Sequence, residues 1–414
     1  MATFGPMVKI AVIGGGAAGF FAAIEAASHG AEVHLFEKTS HVLSKVKISG
    51  GGRCNVTHAA FEPSHLIKNY PRGGKFLKKV FEQFAVRETI DWFEKRGVDL
   101  KVEADGRMFP ISDDSNTIVE ALQKEALAKG VKVHLKSPIS KIEPLSDRFR
   151  LHGPNQPLET DRVIVTTGGH PKLEGFGWLA ALGHSIIAPV PSLFTFNTPQ
   201  SAIKSFPGIS MPEVMVKLEG TKLTYSGPLL ITHWGISGPA VLKLSAFGAN
   251  WLAEKAYQAK AHIRWHGTKS EEDYRKGIGA YKTLHPKRKV AKYPLFDLPS
   301  RLWEHFLINS GISEEFIWLD CSKKQINKLV DNLFCYIVPI EGKTTYKEEF
   351  VTAGGIELSE VDPSNLESKI LPGLYFAGEV LNIDGITGGF NFQAAWSTAQ
   401  IAGKHAANHH IEAV

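Results

Sequence analysis

Val12-Ile13-Gly14-Gly15-Gly16-Ala17-Ala18-Gly19 is the stretch whose reading decides the fold. An apolar, strand-like run from Val8 to Ile13 leads into it. An alanine-rich, helix-like run from Ala17 to His29 follows and is closed by Gly30. A second strand-like run, Glu32 to Phe36, ends at an acid, Glu37, with Lys38 behind it. Strand, glycine turn, helix, strand and terminal carboxylate together make the full βαβ context of a dinucleotide site. In that reading Gly14 allows the tight turn, Gly16 lets the backbone approach a pyrophosphate, and Gly19 lets helix and strand pack closely. The helix start at Ala17 and Ala18 offers unpaired N–H groups and a partial positive charge to the phosphates. Glu37 stands where a carboxylate takes ribose hydroxyls, and Lys38 keeps an NADP reading open. A bare glycine turn without a ligand is the alternative; the flanking elements argue against it.

With 414 residues the chain has length for two or three domains and a large core. No run reaches the length of a membrane span. The opening residues lack the charged and apolar regions of a secretory signal. A net charge of +5 is too mild to argue alone for nucleic acid or acidic lipid. Cys54, Cys321 and Cys335 form no CxxC pair, which argues against a dithiol reductase and fits a reducing compartment. The expectation is a cytoplasmic protein. No nucleophile triad, zinc-ligand spacing or P-loop occurs, so no metal site is expected.

Up to about residue 190 helical and strand-like patterns alternate, as in a parallel α/β sheet. Helices are expected over Thr89 to Arg96 and Asn116 to Lys129, and strands over Val131 to Leu135 and Asp161 to Thr166. From about Pro191 the texture changes. Closely spaced prolines punctuate short β-like runs such as Val214 to Leu218, which suits turns and edge strands. Ser237-Gly238-Pro239 reads as a helix start, and a more helical region follows, placed at about 255–330. From about Val351 the first texture returns. A discontinuous nucleotide-binding domain, 1–190 and 350–414, is therefore expected around an inserted region, 191–349.

Four further pieces point to FAD rather than NAD(P). The strand Leu374 to Ala377 gives way to Gly378-Glu379, an acid at a strand end. Asp384-Gly385-Ile386-Thr387-Gly388-Gly389 then opens a helix at Phe390-Asn391, whose N-terminus suits the electron-rich edge of a flavin. Ser49-Gly50-Gly51-Gly52-Arg53-Cys54-Asn55 reads as a loop able to lie against a flat ring, with donors from Arg53 and Asn55. Thr167-Gly168-Gly169 falls at a strand end near the pyrophosphate or adenosine, and Ile139 would lie beside the adenine. An ordinary capped loop is the plain alternative for the 384–391 segment.

The run Lys45 to Asn55 resembles a signature of the BaiN/RdsA-like (YhiN-type) FAD-dependent oxidoreductases. So do Gly106 to Pro110, Gly227 to Pro239, Gly373 to Glu379 and Gly388 to Gln393, in order along nearly the whole chain. The resemblance implies a Rossmann-like α/β FAD domain in two parts, interrupted by a β-barrel-like and a small helical insertion. It places Lys45 among the cofactor-binding residues. It also implies reduction of activated C=C bonds, with steroid-like enones or uridine in ribosomal RNA as substrates. Two departures stand out: the segment after Gly169 is shortened, and Asn382 replaces a common Asp.

A flavin would carry the redox chemistry, with hydride transfer through its N5. No second GxGxxG in a strand–helix setting follows, so NAD(P)H is expected to dock transiently as electron donor. Cys54 is a candidate ring contact or a small packed residue. Arg53 is a candidate anion stabiliser or a structural salt bridge, and Asn55 a candidate donor. His233 would be a proton donor with Trp234 as a stacking wall, although a buried His and a core Trp are the more ordinary expectation. A small-molecule substrate is expected. RNA is the alternative through the basic stretch 260–292, and oxidation of a small amine is another. The sequence does not fix the oligomeric state.

Overall fold

The computed structural model describes residues 7–344 and 351–408. These fall into two compact units, one of 7–192 with 351–408 and the other of 193–344. The expected boundary at 349–350 lies outside the described residues.

The first unit is built on a five-stranded parallel sheet. Its strands are β1 (Lys9–Ile13), β2 (Glu32–Phe36), β3 (Lys132–His134), β4 (Arg162–Val165) and β5 (Leu374–Phe376), in the spatial order β5-β4-β1-β2-β3. Ile10, Ala11 and Val12 are buried without alternation, as expected for a strand covered on both faces. Helix α1 (Ala17–Ser28) follows β1 directly, and helix α2 (Phe390–Ala407) follows the last strand. The two helices pack so closely that a Cβ on Gly403 would lie 2.5 Å from the Ala22 carbonyl oxygen. Both ends of the described chain thus build one layer over one sheet. Register aligns Ile13 with Phe36 and with Val165, so Gly14, Glu37 and Thr166 leave the sheet along the same edge. This is the edge at which open α/β sheets bind ligands. Smaller antiparallel sheets complete the unit, including Ile186–Ser192 paired with Val351–Ile356.

The second unit holds a seven-stranded antiparallel sheet. Strands Tyr336–Glu341 and Lys343–Thr344 are separated by Gly342 alone, yet they stand at opposite edges of that sheet. The sheet must therefore curl until its edges meet, which gives the expected barrel-like form. Helices Glu271–Leu284, Ser300–Asn309 and Lys323–Phe334 share one core with it, where Trp265, Trp303 and Trp318 lie beside Val216 and Ile263. The helical stretch begins later than about 255, because Gln258–Arg264 is a strand of the sheet.

Candidate functional site

The glycine turn takes the conformations its residues allow. Gly14 has φ +115°, and a Cβ there would lie 2.5 Å from the Thr166 carbonyl oxygen. At Gly19 an added Cβ would lie 1.8 Å from the Gly14 carbonyl oxygen, so helix and turn meet with no room for a side chain. Gly16 is different: nothing lies within 4 Å of its missing Cβ. Packing does not demand a glycine there, while close approach of a phosphate would. No side chain caps α1, and its first turn contains no acid, leaving the amides around Ala17 and Ala18 for an anion. Glu37 accepts from the Gly15 N–H at 2.9 Å and from the Thr39 N–H at 2.8 Å, which holds its carboxylate at the turn. Lys38 is exposed beside it. Ile139 lines a small cavity with Phe36, Ser137 and Gly153, just beyond the end of β2.

Around the other helix the chain closes on itself. Gly389 precedes α2 with φ +93°, and a Cβ would lie 2.4 Å from the Thr57 carbonyl oxygen. The Asn55 side chain accepts from the Gly389 N–H at 3.0 Å and donates to the Thr57 and Met108 carbonyls at 3.0 and 3.2 Å. Asn391 holds the loop ahead of the helix, accepting from the Gly385 N–H at 2.7 Å and donating to the Gly385 carbonyl at 2.9 Å. Gly389 itself carries no capping side chain and the first turn of α2 holds no acid, so the amides beyond Gly389 keep the positive end of the helix dipole. Lys45 pairs with Glu379 at 2.7 Å. Thr166 donates to the carbonyls of Ile13 and Gly14, tying β4 to the turn. Beyond it Thr167 is exposed, Gly168 has φ +75°, and Gly169 abuts Thr352. Gly378 abuts Ala18 of α1.

The Ser49–Asn55 segment keeps the loop reading: after a short helix that begins at Ser44, Ser49 is extended and Gly50, Gly51 and Gly52 take φ +59°, +70° and +84°. Several expectations require correction. Cys54 exposes none of its surface, and burial pushes its thiol up to about 12. It packs the core and presents no atom to a ring. Arg53 donates to Glu103 at 2.6 Å and stacks over Phe109 at 4.0 Å, which is the structural salt bridge of the two readings. Phe390 is buried as well, stacked on His58 at 4.6 Å, so only the backbone at this position serves the helix start. His233 and Trp234 are both exposed, contrary to the buried His and core Trp. They form the turn between strands Thr224–Ile231 and Gly235–Ser237, which Thr232 and Gly235 close through their own backbone bonds, leaving the rings outside.

Sequence reading missed a buried cluster beneath the loop ahead of α2. Asp384 is fully buried. Arg72 donates to both of its carboxylate oxygens, and Ser192 donates to it at 2.7 Å. Burial pushes the Asp384 carboxyl up, while Arg72 and Ser192 pull it down. Tyr70 donates to the Phe390 carbonyl at 2.7 Å. Thr352 Oγ1 and Asn382 Oδ1 are buried without a partner among the described residues.

A glycine turn at one helix start, a second helix start on the same sheet and an acid at the end of β2 are the arrangement of an FAD-dependent oxidoreductase with a Rossmann-type domain. The chain matches the model for the HI0933-like protein Rossmann domain over residues 8–405 and belongs to that family. It is 31% identical over 400 residues to the ribosomal RNA dihydrouridine synthase of Haemophilus influenzae, covering 94% of this chain and 96% of that one. It is 29% identical to the 3-dehydro-bile acid delta(4,6)-reductase of Clostridium scindens, covering 97% of this chain and 99% of that one. Among solved structures, the 3-ketosteroid-delta4-(5alpha)-dehydrogenase of Rhodococcus jostii RHA1 shares the fold, with a TM-score of 0.51, 16% identity and 99% of each chain covered.

Proposed function

We propose that this protein uses FAD to reduce a C=C bond conjugated to a carbonyl, with NAD(P)H as the electron donor. The observation that carries the proposal is the chemistry shared by full-length relatives. One relative's name specifies saturation of uridine, and the other's specifies saturation of a 3-oxo bile acid at its 4,6 positions. Both substrates present an alkene polarised by a carbonyl, although their sizes differ greatly.

When bound, FAD supplies the two-electron redox chemistry; the protein binds, orients and tunes. Residues Gly14 to Gly19 would hold the pyrophosphate at the start of α1, and Glu37 the ribose. Ile139 would lie against the adenine. The uncapped start of α2 would stabilise negative charge on the flavin by about 0.3–1 kcal/mol, and more where water is excluded. Asn55, Asn391 and the Arg72–Asp384 pair act as positioning residues, because each fixes the loop or the helix start that would face the flavin.

Ribosomal RNA uridine is the second reading of the substrate, favoured by the Haemophilus relative. The basic stretch 260–292 gives it limited support, because many of its cations already have protein partners. Lys260 pairs with Glu219, Arg275 with Glu271, and Lys289 with Glu315, while Lys282 donates to the Cys321 carbonyl. No described helix is long and apolar enough to cross a membrane.

The test is an anaerobic turnover assay with a steroidal enone and, separately, with unmodified ribosomal RNA. Saturation of one alkene, with matching NADH or NADPH consumption, is expected. Both alkenes left untouched, with no NADH or NADPH consumed, would reject the proposal.

A further inference from the structure

On the outer surface of the second unit stands a group of side chains that the flavin chemistry does not use. His262, on strand Gln258–Arg264, places its Nδ1 at 3.3 Å from the Cys335 Sγ and its Nε2 at 2.7 Å from the Glu219 Oε2. Cys335 lies between helix Lys323–Phe334 and strand Tyr336–Glu341 and is exposed, whereas Cys54 and Cys321 are buried. The order thiol, imidazole, carboxylate is the one in which a nucleophile is activated by an oriented base. Glu219 is held ionised below the usual carboxylate range, chiefly by its bond to His262. As an acceptor it keeps the proton on Nε2, which leaves Nδ1 free to take one from sulfur.

Burial pushes the Cys335 thiol up, with Asp331 and Glu219 adding to the rise, while Arg264 and Lys217 pull it down. The thiol therefore rests protonated, and a neighbouring base is what would make it react at neutral pH. Arg264 and Lys217, with Lys260 paired to Glu219 at 3.5 Å, outnumber the carboxylates Glu219 and Asp331 and favour an anionic incoming group. Arg264 is fixed there by stacking over Phe334 at 4.2 Å.

We propose that Cys335 is a thiolation site that reacts with small anionic disulfides, with His262 as its base and Glu219 as the residue that orients the base. Cys335 Sγ attacks one sulfur of the incoming disulfide. A new S–S bond forms at Cys335 and the old one breaks, and the departing sulfur carries away the electron pair of the broken bond. The proton taken by His262 Nδ1 passes to that departing thiolate. The incoming disulfide is the oxidant.

The experiment treats the full FAD-loaded chain with glutathione disulfide, which is anionic, and in parallel with cystamine, which is cationic. Adduct formation is followed by intact-mass spectrometry and located by peptide mapping. One adduct is expected, at Cys335, formed faster with glutathione disulfide and absent in Cys335→Ser. His262→Gln should slow it at least about tenfold. Glu219→Gln, which leaves the ring in place, should slow it several-fold, and unchanged flavin absorbance in both variants would show that the fold is kept. Adducts at Cys54 or Cys321 instead, or equal rates for wild type and both variants, would overturn the assignment. Equal or faster reaction with cystamine would overturn the anionic class of partner.

Discussion

At the scale of single residues, Gly14 and Gly16 stand close together in one motif and do different work. An alanine at Gly14 would meet the Thr166 carbonyl from a backbone conformation that side chains avoid. Gly14→Ala should therefore destabilise the fold by about 2 kcal/mol or more. Gly16→Val should leave the melting temperature of flavin-free protein unchanged, since its side chain meets only open space. It should weaken FAD binding by about 1.4 kcal/mol or more, a factor of ten. Thermal melts and flavin titration separate the two effects; equal loss of stability in both variants would contradict the phosphate cradle. Arg72→Ala strands a fully buried carboxylate and should cost about 3–5 kcal/mol in a denaturant titration. The tight turn at Gly14 was legible because its spacing is read together with the flanking strand and helix patterns. The Arg72–Asp384 pair was not, because its partners are 312 positions apart and neither carries a local signal.

At the scale of elements, the parallel strands and the two helices of the cofactor domain were legible from apolar runs and glycine punctuation. The short helix ahead of the glycine loop, from Ser44 to about Ile48, was not, because so few residues show no helical period. Similarly, the turn at His233 was expected to bury its rings, and strand pairing alone does not decide which way a turn faces. Neighbouring strands β2 and β3 carry a testable pair: His34 and His134 stack, with ring nitrogens 3.0 Å apart. Burial is the largest cause of the fall in both ring pKa values, so the folded state keeps the rings neutral. The unfolded chain takes up protons below about pH 6.5, so stability holds above that value and falls as pH drops below it. Melting temperature should decrease from about pH 7.5 to about pH 5.5, with a shallower slope in His134→Asn. The same slope in that variant would remove the pair from the account.

At the scale of the whole molecule, discontinuity is the informative property. The strand Leu374–Phe376 joins a sheet begun by Lys9–Ile13, and helix Phe390–Ala407 packs on helix Ala17–Ser28. An N-terminal fragment would therefore lack one sheet edge and the second helix start. Substrate identity was not legible, since the family's named activities range from a steroid-like molecule to ribosomal RNA. The central claim is that a single FAD is held by both ends of the chain on one sheet edge. Equilibrium titration of flavin-stripped protein with FAD, read by visible absorbance, tests it most directly. The account predicts one FAD per chain, a flavin spectrum, and loss of binding both in Gly16→Val and in a chain ending before Phe390. A folded, colourless protein that takes up no FAD, or unchanged binding after removal of the C-terminal helix, would contradict it.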